Sequence, residues 1–386
     1  MARTRRSSGD AEQPEIHRGL ANVFFDRTRI TSIDGRAGEL RHRGYSIHEL
    51  AERASFEEMA HLLIQGRLPG RAELDAFDAA LRAARGVPAP VGEILQRLAQ
   101  AHPMDALRTG VSALAAFDPD RDDDSREALV RKGTRLVAGI PTLIAVHHAL
   151  RTGREPVAPS PTLPHAANLL FMLTGKPPSE REARVLDTDL VLHADHGANA
   201  STFVARVVRG TRSDLHAAVT AAIAAFAGPL HGGAVEGVME MLEEIGEPGR
   251  VDAVLRERRA RRQPVMGFGH RVYRTEDPRA RHLRQLAREL SEESGEGEAF
   301  AILDRLVEAM RPYARHGVDV NVDFYAGALY RMLRLPRDLT VPLFAAGRIA
   351  GWVAQVLEQD ERNILIRPRL AYEGPEAPAW VPIEER

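Results

Sequence analysis

From Ser46 to Glu358 the apolar residues of this chain recur three and four apart, in segments broken by glycine and proline. That period lays them along one side of a helix, so the pattern commits most of the chain to packed helices. Ile47, Leu50 and Ala51 share one face, and Phe56, Ala60, Leu63 and Ile64 share the next. Ser55 followed by Glu58 has the form of a capping box, and Leu68-Pro69-Gly70 closes that segment. Further helices are predicted over 71–85, 104–117, 125–151, 166–173, 179–196, 299–311, 323–333 and 341–358. Pro141 is expected to kink or interrupt the one it falls in. Leu215, Val219, Ile223 and Phe226 mark an alanine-rich helix that Gly228-Pro229 terminates, and Val235, Val238, Met241, Leu242 and Ile245 stripe another. Asp277-Pro278 reads as a helix start, with an N-cap residue and then proline in the first turn. Only the stretch 19–40, rich in β-branched residues, predicts a short strand or two, turning at Asp34-Gly35. Residues 153–164 carry four prolines and read as a surface connection.

A chain of 386 residues that is 44% hydrophobic can bury a substantial core, in two domains or one large and one small. A formal charge of −2 gives no electrostatic reason to expect nucleic acid or a membrane surface. The absence of cysteine excludes disulfides and thiolate chemistry and is compatible with a reducing compartment, so a cytoplasmic setting is expected. No apolar run approaches the roughly 20 residues needed to span a bilayer. The basic start M-A-R-T-R-R-S-S lacks the apolar segment of a secretory signal, and 1–18 are expected to form a disordered or extended tail.

Fifteen histidines are present, and most must be ordinary. His147, His148, His216 and His282 lie in helical runs and read as surface or core packing. His231, in A-G-P-L-H-G-G-A, and His270, in M-G-F-G-H-R-V-Y, lie instead on turns whose glycines let backbone approach a ligand. With the Asp323 carboxylate of N-V-D-F and Arg279, they suggest a site for moving protons beside an anion. On pattern alone, a structural turn histidine fits either position equally well. The G-F-G-H glycines are too few for a dinucleotide fingerprint. In H-A-D-H, His193 and His196 have the spacing of two ligands on one helical turn. His193 follows Leu186 and Leu190 on an apolar face, which favours a packed core residue, and no metal is expected. The arginine cluster over 256–262 is either a solvated helix face or a grip on phosphates. Arg348, on an apolar helix, and Arg367, in I-R-P-R, each need an anionic partner, either a salt bridge or a carboxylate substrate.

Together these pieces resemble the citrate synthase family from about Gly19 to Gly374. The resemblance is carried by G-E-L-R-H-R-G-Y-S-I, H-A-D-H-G-A-N-A-S-T-F, G-P-L-H-G-G-A, M-G-F-G-H-R-V-Y, N-V-D-F and R-P-R-L-A-Y-E-G, in that order. It implies an all-α fold in which a large helical domain (19–229 and 335–386) is closed over by a smaller one (230–334). It implies condensation of acetyl-CoA with oxaloacetate, then hydrolysis of citryl-CoA to citrate and CoA. Asp323 would remove a methyl proton, His231 would hydrogen-bond the thioester oxygen, and His270 would hydrogen-bond or protonate the oxaloacetate carbonyl. His196, Arg279, Arg348 and Arg367 would hold oxaloacetate, Arg367 reaching in from the second subunit of a homodimer. Gln263, Pro264, Val265, Met266 and Gly267 would form the loop around the adenine end of CoA. The resemblance implies no permanently bound cofactor, acetyl-CoA or another short acyl-CoA being a co-substrate. Two positions depart from the family's pattern: Val235 where asparagine is usual, and Gly197 where many members carry glutamate. Taken to lie near the substrates, they keep open 2-methylcitrate synthesis from propionyl-CoA, or low activity; a separate alternative, an inactive binding protein, is opposed by the presence of His231, His270 and Asp323 together.

Overall fold

The computed structural model describes residues 15–20, 23–295, 297–375 and 378–386; most of the predicted tail, 1–14, lies outside the described residues. Near the start, β1 (Thr31–Asp34), β2 (Glu39–His42) and β3 (Tyr45–Ser46) form a small antiparallel sheet in that order. Asp34 faces Glu39 across the hairpin. Its Oδ1 accepts the backbone N–H groups of Arg36 and Ala37, both at 2.9 Å, which closes the predicted turn.

Among the described residues, everything else that is regular is helical, as the period required. Helices α1 (Ile47–Arg53), α2 (Phe56–Gln65), α3 (Arg71–Ala83), α4 (Ala89–Arg97) and α5 (Pro103–Leu114) lead into the long α6 (Arg126–Arg151). Then come α7 (His165–Thr174), α8 (Glu180–His193), α9 (Ala200–Gly210) and α10 (Leu215–Phe226). A second group follows: α11 (Ala234–Ile245), α12 (Val251–Ala260), α13 (Ala280–Ser294), α14 (Gly297–Ala314) and α15 (Val322–Met332). Helix α16 (Thr340–Glu361) returns to the first group and packs against α2, α6, α8, α9 and α10.

Local chemistry accounts for the helix ends. Ser55 and Glu58 form the expected capping box reciprocally, at 3.2 Å and 2.8 Å. Four expectations are corrected. Helix α6 runs on through Pro141, so the interruption half of that expectation is overturned; residues 139–145 are all buried, and this packing offsets the one backbone hydrogen bond that proline removes. Helix α8 ends at His193, so H-A-D-H does not lie on one helical turn, and His196 belongs to the turn beyond. The helix predicted to start at Asp277-Pro278 begins at Ala280, after a turn in which Asp277 Oδ1 accepts the Arg279 N–H at 3.0 Å and its carbonyl accepts the Ala280 N–H at 2.9 Å. Finally, α16 with the short turn before it is long and apolar enough to cross a membrane by length and composition, but its apolar window is wholly buried in protein. It is the central core helix.

That burial depends on small residues. A Cβ on Gly351 would meet the Ala194 carbonyl oxygen at 2.2 Å, and the Gly351 N–H donates to that same oxygen at 3.0 Å. A Cβ on Gly347 would lie 3.0 Å from the Leu190 carbonyl oxygen and 3.2 Å from His193 Cβ. The backbone of α16 therefore lies directly on the end of α8, which sets Arg348 beside the H-A-D-H turn.

Candidate active site

His231 occupies the turn between α10 and α11. The His231 N–H returns to the Gly228 carbonyl (2.9 Å) and the Gly232 N–H to Phe226 (3.0 Å), folding the Gly-Pro break into a tight loop. The imidazole packs on Phe226, with ring centroids 4.8 Å apart. Its Nε2 lies 2.9 Å from Ser201 Oγ and 3.2 Å from Asn199 Oδ1, and the Ser201 backbone N–H points at it from 3.3 Å. The direction of a backbone N–H is fixed, so Nε2 accepts and a neutral ring carries its proton on Nδ1. The Trp352 indole of α16 donates to Ser201 Oγ at 3.1 Å and steadies it from behind. Burial, and then the charge of Arg348, bring the pKa of His231 down to about 4. The ring is neutral at physiological pH.

His270 follows Gly267-Phe268-Gly269, a segment that pairs with the residues just before α15. The Gly269 N–H donates to Asp319 (2.7 Å), the Asn321 N–H donates to Gly267 (3.0 Å), and Phe268 bridges Val320 antiparallel. On the other side the β1–β2 turn abuts the His270 loop. A Cβ on Gly35 would collide with the Val272 carbonyl at 2.3 Å, and the Arg274 N–H donates to the Gly35 carbonyl at 2.9 Å. His270 Nδ1 accepts two backbone N–H groups, from Val272 (2.9 Å) and Tyr273 (3.0 Å). A nitrogen that accepts twice carries no proton, so the neutral ring presents Nε2–H. Burial, then Arg279, lower its pKa to about 4.

Asp323 stands in the first turn of α15, which Asn321 caps by accepting the Asp323 N–H at 3.1 Å. Its carboxylate has no hydrogen bond or ion pair among the described residues. Burial raises its pKa to about 6, against the opposing charges of His193, Arg279 and Arg348. It therefore combines a raised basicity with a free lone pair.

The residues expected to hold the dicarboxylate divide three ways. His196 is buried in the turn after α8, its ring 5.3 Å from that of His270. Burial, then Arg279, keep it neutral by pushing its pKa well down. Arg348 is 2% exposed, donates through Nε to the His193 carbonyl (2.7 Å) and lies over the Phe344 and Phe226 rings. No carboxylate lies within ion-pair distance of it among the described residues. Burial pulls its pKa down to about 10, so it stays charged. Arg279 is also buried but already paired, through Nε and Nη2, with Asp277 at 2.9 Å and 2.7 Å. The third part is Arg367, which is exposed in the irregular segment after α16 and has no ion pair among the described residues.

The loop Gln263, Pro264, Val265, Met266 and Gly267 passes from an exposed start to a buried end. Gln263 and Val265 line a cavity of about 430 Å³ between α12 and α14, with Arg256, Arg259, Met310 and Tyr313. Arg258 is tied to Glu244 (2.9 Å), whereas Arg256 and Arg259 face this cavity.

The two departures have backbone explanations. Val235 is fully buried in α11, against Gly327 of α15, and has no surface to offer a substrate. Gly197 has φ +56°, its N–H donates to Asp195 (3.0 Å), and a side chain there would be strained. Val235 therefore does not argue for a larger acyl group. Sequence reasoning passed over Ser201, Asn199, Trp352, Tyr273 and Asn321, which orient the histidines and Asp323. The one signal available was their position, since all but Trp352 stand inside the motifs quoted above.

A family model described as "Citrate synthase, C-terminal domain" matches residues 19–369. The chain is 42% identical over 370 residues to the citrate synthase of Synechocystis sp., covering 95% of this chain and 93% of the relative. It is 38% identical over 369 residues to a citrate/2-methylcitrate synthase of Bacillus subtilis, covering 94% and 98%. Among solved structures, it is similar to the citrate synthase of Thermoplasma acidophilum in ternary complex with carboxymethyl coenzyme A and oxaloacetate. That match has a TM-score of 0.92 at 30% identity, covering 96% of this chain and all of the other.

Proposed function

The chain belongs to the citrate synthase family and is an acyltransferase with citrate synthase activity, and we propose that Asp323, His231 and His270 divide its chemistry. The methyl group of acetyl-CoA is a weak carbon acid. Its proton leaves only if the oxygen that gains charge is stabilised at the same moment. Asp323, with a pKa near 6, is ionised at neutral pH and accepts that proton. His231 offers Nδ1–H to the thioester oxygen, and His270 offers Nε2–H to the oxaloacetate ketone as the new bond forms. Both being neutral, they donate hydrogen bonds without holding the substrates as counter-ions. Citryl-CoA is then hydrolysed to citrate and CoA.

Arg348, His196 and the uncommitted N–H groups of Arg279 orient oxaloacetate, with Arg367 supplied by the second chain of a homodimer. The loop 263–267 and its cavity take the adenine end of CoA, with Arg256 and Arg259 set for phosphate. Segment 230–334, which carries His231, His270 and Asp323, closes over the substrates and excludes water.

The observation that carries this reading is the free, raised-pKa carboxylate of Asp323 under the field of two buried guanidinium groups. The test is release of CoA thiol with oxaloacetate and either acetyl-CoA or propionyl-CoA. Faster turnover of acetyl-CoA is expected. Faster turnover of propionyl-CoA would make the chain a 2-methylcitrate synthase, and no thiol from either would overturn the reading.

A further inference from the structure

Tyr273 touches both substrate-side histidines, and only its backbone contact with His270 has been given a part so far. It is fully buried, and its ring lies 4.7 Å from that of His270 and 5.5 Å from that of His196. Its backbone N–H is one of the two donors to His270 Nδ1. Its hydroxyl has a single hydrogen-bond partner among the described residues, His196 Nε2 at 3.1 Å. A buried hydroxyl proton left without an acceptor is costly, so the phenol donates to Nε2 and does not accept from it. Burial supports this by pushing the tyrosine pKa up and the His196 pKa well down, so the phenol keeps its proton and the imidazole stays neutral.

A neutral imidazole carries one proton. With Nε2 accepting from the phenol, that proton sits on Nδ1, which has no protein partner among the described residues. The anion enters beside Arg279 and Arg348, both of which act electrostatically on His196. A lone pair presented there would repel a carboxylate, whereas an N–H binds it.

We propose that Tyr273 is a positioning residue that fixes the tautomer of His196, so that oxaloacetate meets a third donor beside the two guanidinium groups. The proposal rests on the assignment of His196 as an oxaloacetate ligand. One residue would then set both histidines as donors: His270 through its backbone, His196 through its hydroxyl.

Tyr273→Phe separates the two effects, because it keeps the backbone N–H and the ring and removes only the hydroxyl. Losing control of one hydrogen bond to a charged ligand should raise KM for oxaloacetate about tenfold, with kcat within about threefold and KM for acetyl-CoA unchanged. Imidazole 15N spectra of the folded protein should show His196 protonated on Nδ1 in the parent and a mixture of tautomers in the variant. Calorimetry with oxaloacetate alone separates the two levels of the argument. No binding by the parent protein removes the site assignment itself. Binding that His196→Ala weakens but Tyr273→Phe leaves within twofold overturns only the tautomer proposal. Equal rises in both KM values together with a lowered melting temperature would assign Tyr273 a merely structural part and would overturn it too.

Discussion

The side-chain amide of Asn321 donates to the Gly269 carbonyl at 3.0 Å, while its oxygen caps α15 at Asp323. One side chain thus fastens the turn before His270 to the helix that carries Asp323. With the backbone links from Gly269 to Asp319 and from Asn321 to Gly267, it holds the proposed general base and the proposed ketone donor in register. Asn321→Asp keeps an excellent helix cap but loses the amide donor. It should hold its melting temperature within a few degrees while kcat falls, and Asn321→Ala should in addition lose about 1 kcal/mol of stability through the missing cap. Thermal melts alongside initial rates distinguish the two.

Asp323 should oppose folding as it serves catalysis. Its pKa rises from an ordinary 3.8 to about 6 on folding, so between those values the native state binds more protons than the unfolded one. Stability therefore falls as pH rises across that window, and above pH 6 the ionised group costs on the order of 1–3 kcal/mol. Asp323→Asn should melt several degrees higher than the parent at pH 7.5, and the gain should vanish below about pH 4. Melting curves across that range check the sign. A variant that melts lower at pH 7.5 contradicts it.

Arg348 should not tolerate lysine. Burial already brings the guanidinium down to about 10. A lysine starts lower, would be driven towards neutrality in the same place, and lacks the fork that grips a carboxylate. Arg348→Lys should raise KM for oxaloacetate more than tenfold, read by initial rates, and the loss should grow as pH rises.

Gly351→Ala tests the architecture behind the site. The added methyl meets the Ala194 carbonyl oxygen, so α16 must move off α8 or the end of α8 must shift. Overpacking of this kind costs typically 1–3 kcal/mol. Urea unfolding should show that loss, and oxaloacetate affinity should drop with it because Arg348 rides on the same helix.

The helices were legible because their signals are local: a period near 3.6, a capping box at Ser55, glycine and proline at the breaks. His231 and His270 stand out in the sequence because glycine-rich turns surround them, and Asp323 because Asn321 marks a helix start. What orients them was not legible. Trp352 reaches Ser201 across 151 residues, and Tyr273 reaches His196 across 77, contacts that no periodicity encodes. Pro141 misled for the complementary reason, since local propensity favours a break that surrounding burial overrides. Val235 misled because a position beside a motif need not face the ligand; its place on a 3.6-residue turn directs it into the core.

The most direct test compares the parent protein with Asp323→Asn in oxaloacetate-dependent release of CoA from acetyl-CoA, measured as kcat against pH, with oxaloacetate affinity taken separately by calorimetry. The parent should lose activity as pH falls through about 6, and Asp323→Asn should lose on the order of 10²–10⁴-fold in kcat while binding oxaloacetate nearly as before. A variant that keeps the parent's kcat, or one whose turnover and oxaloacetate affinity fall together, would contradict the assignment of Asp323 as the base.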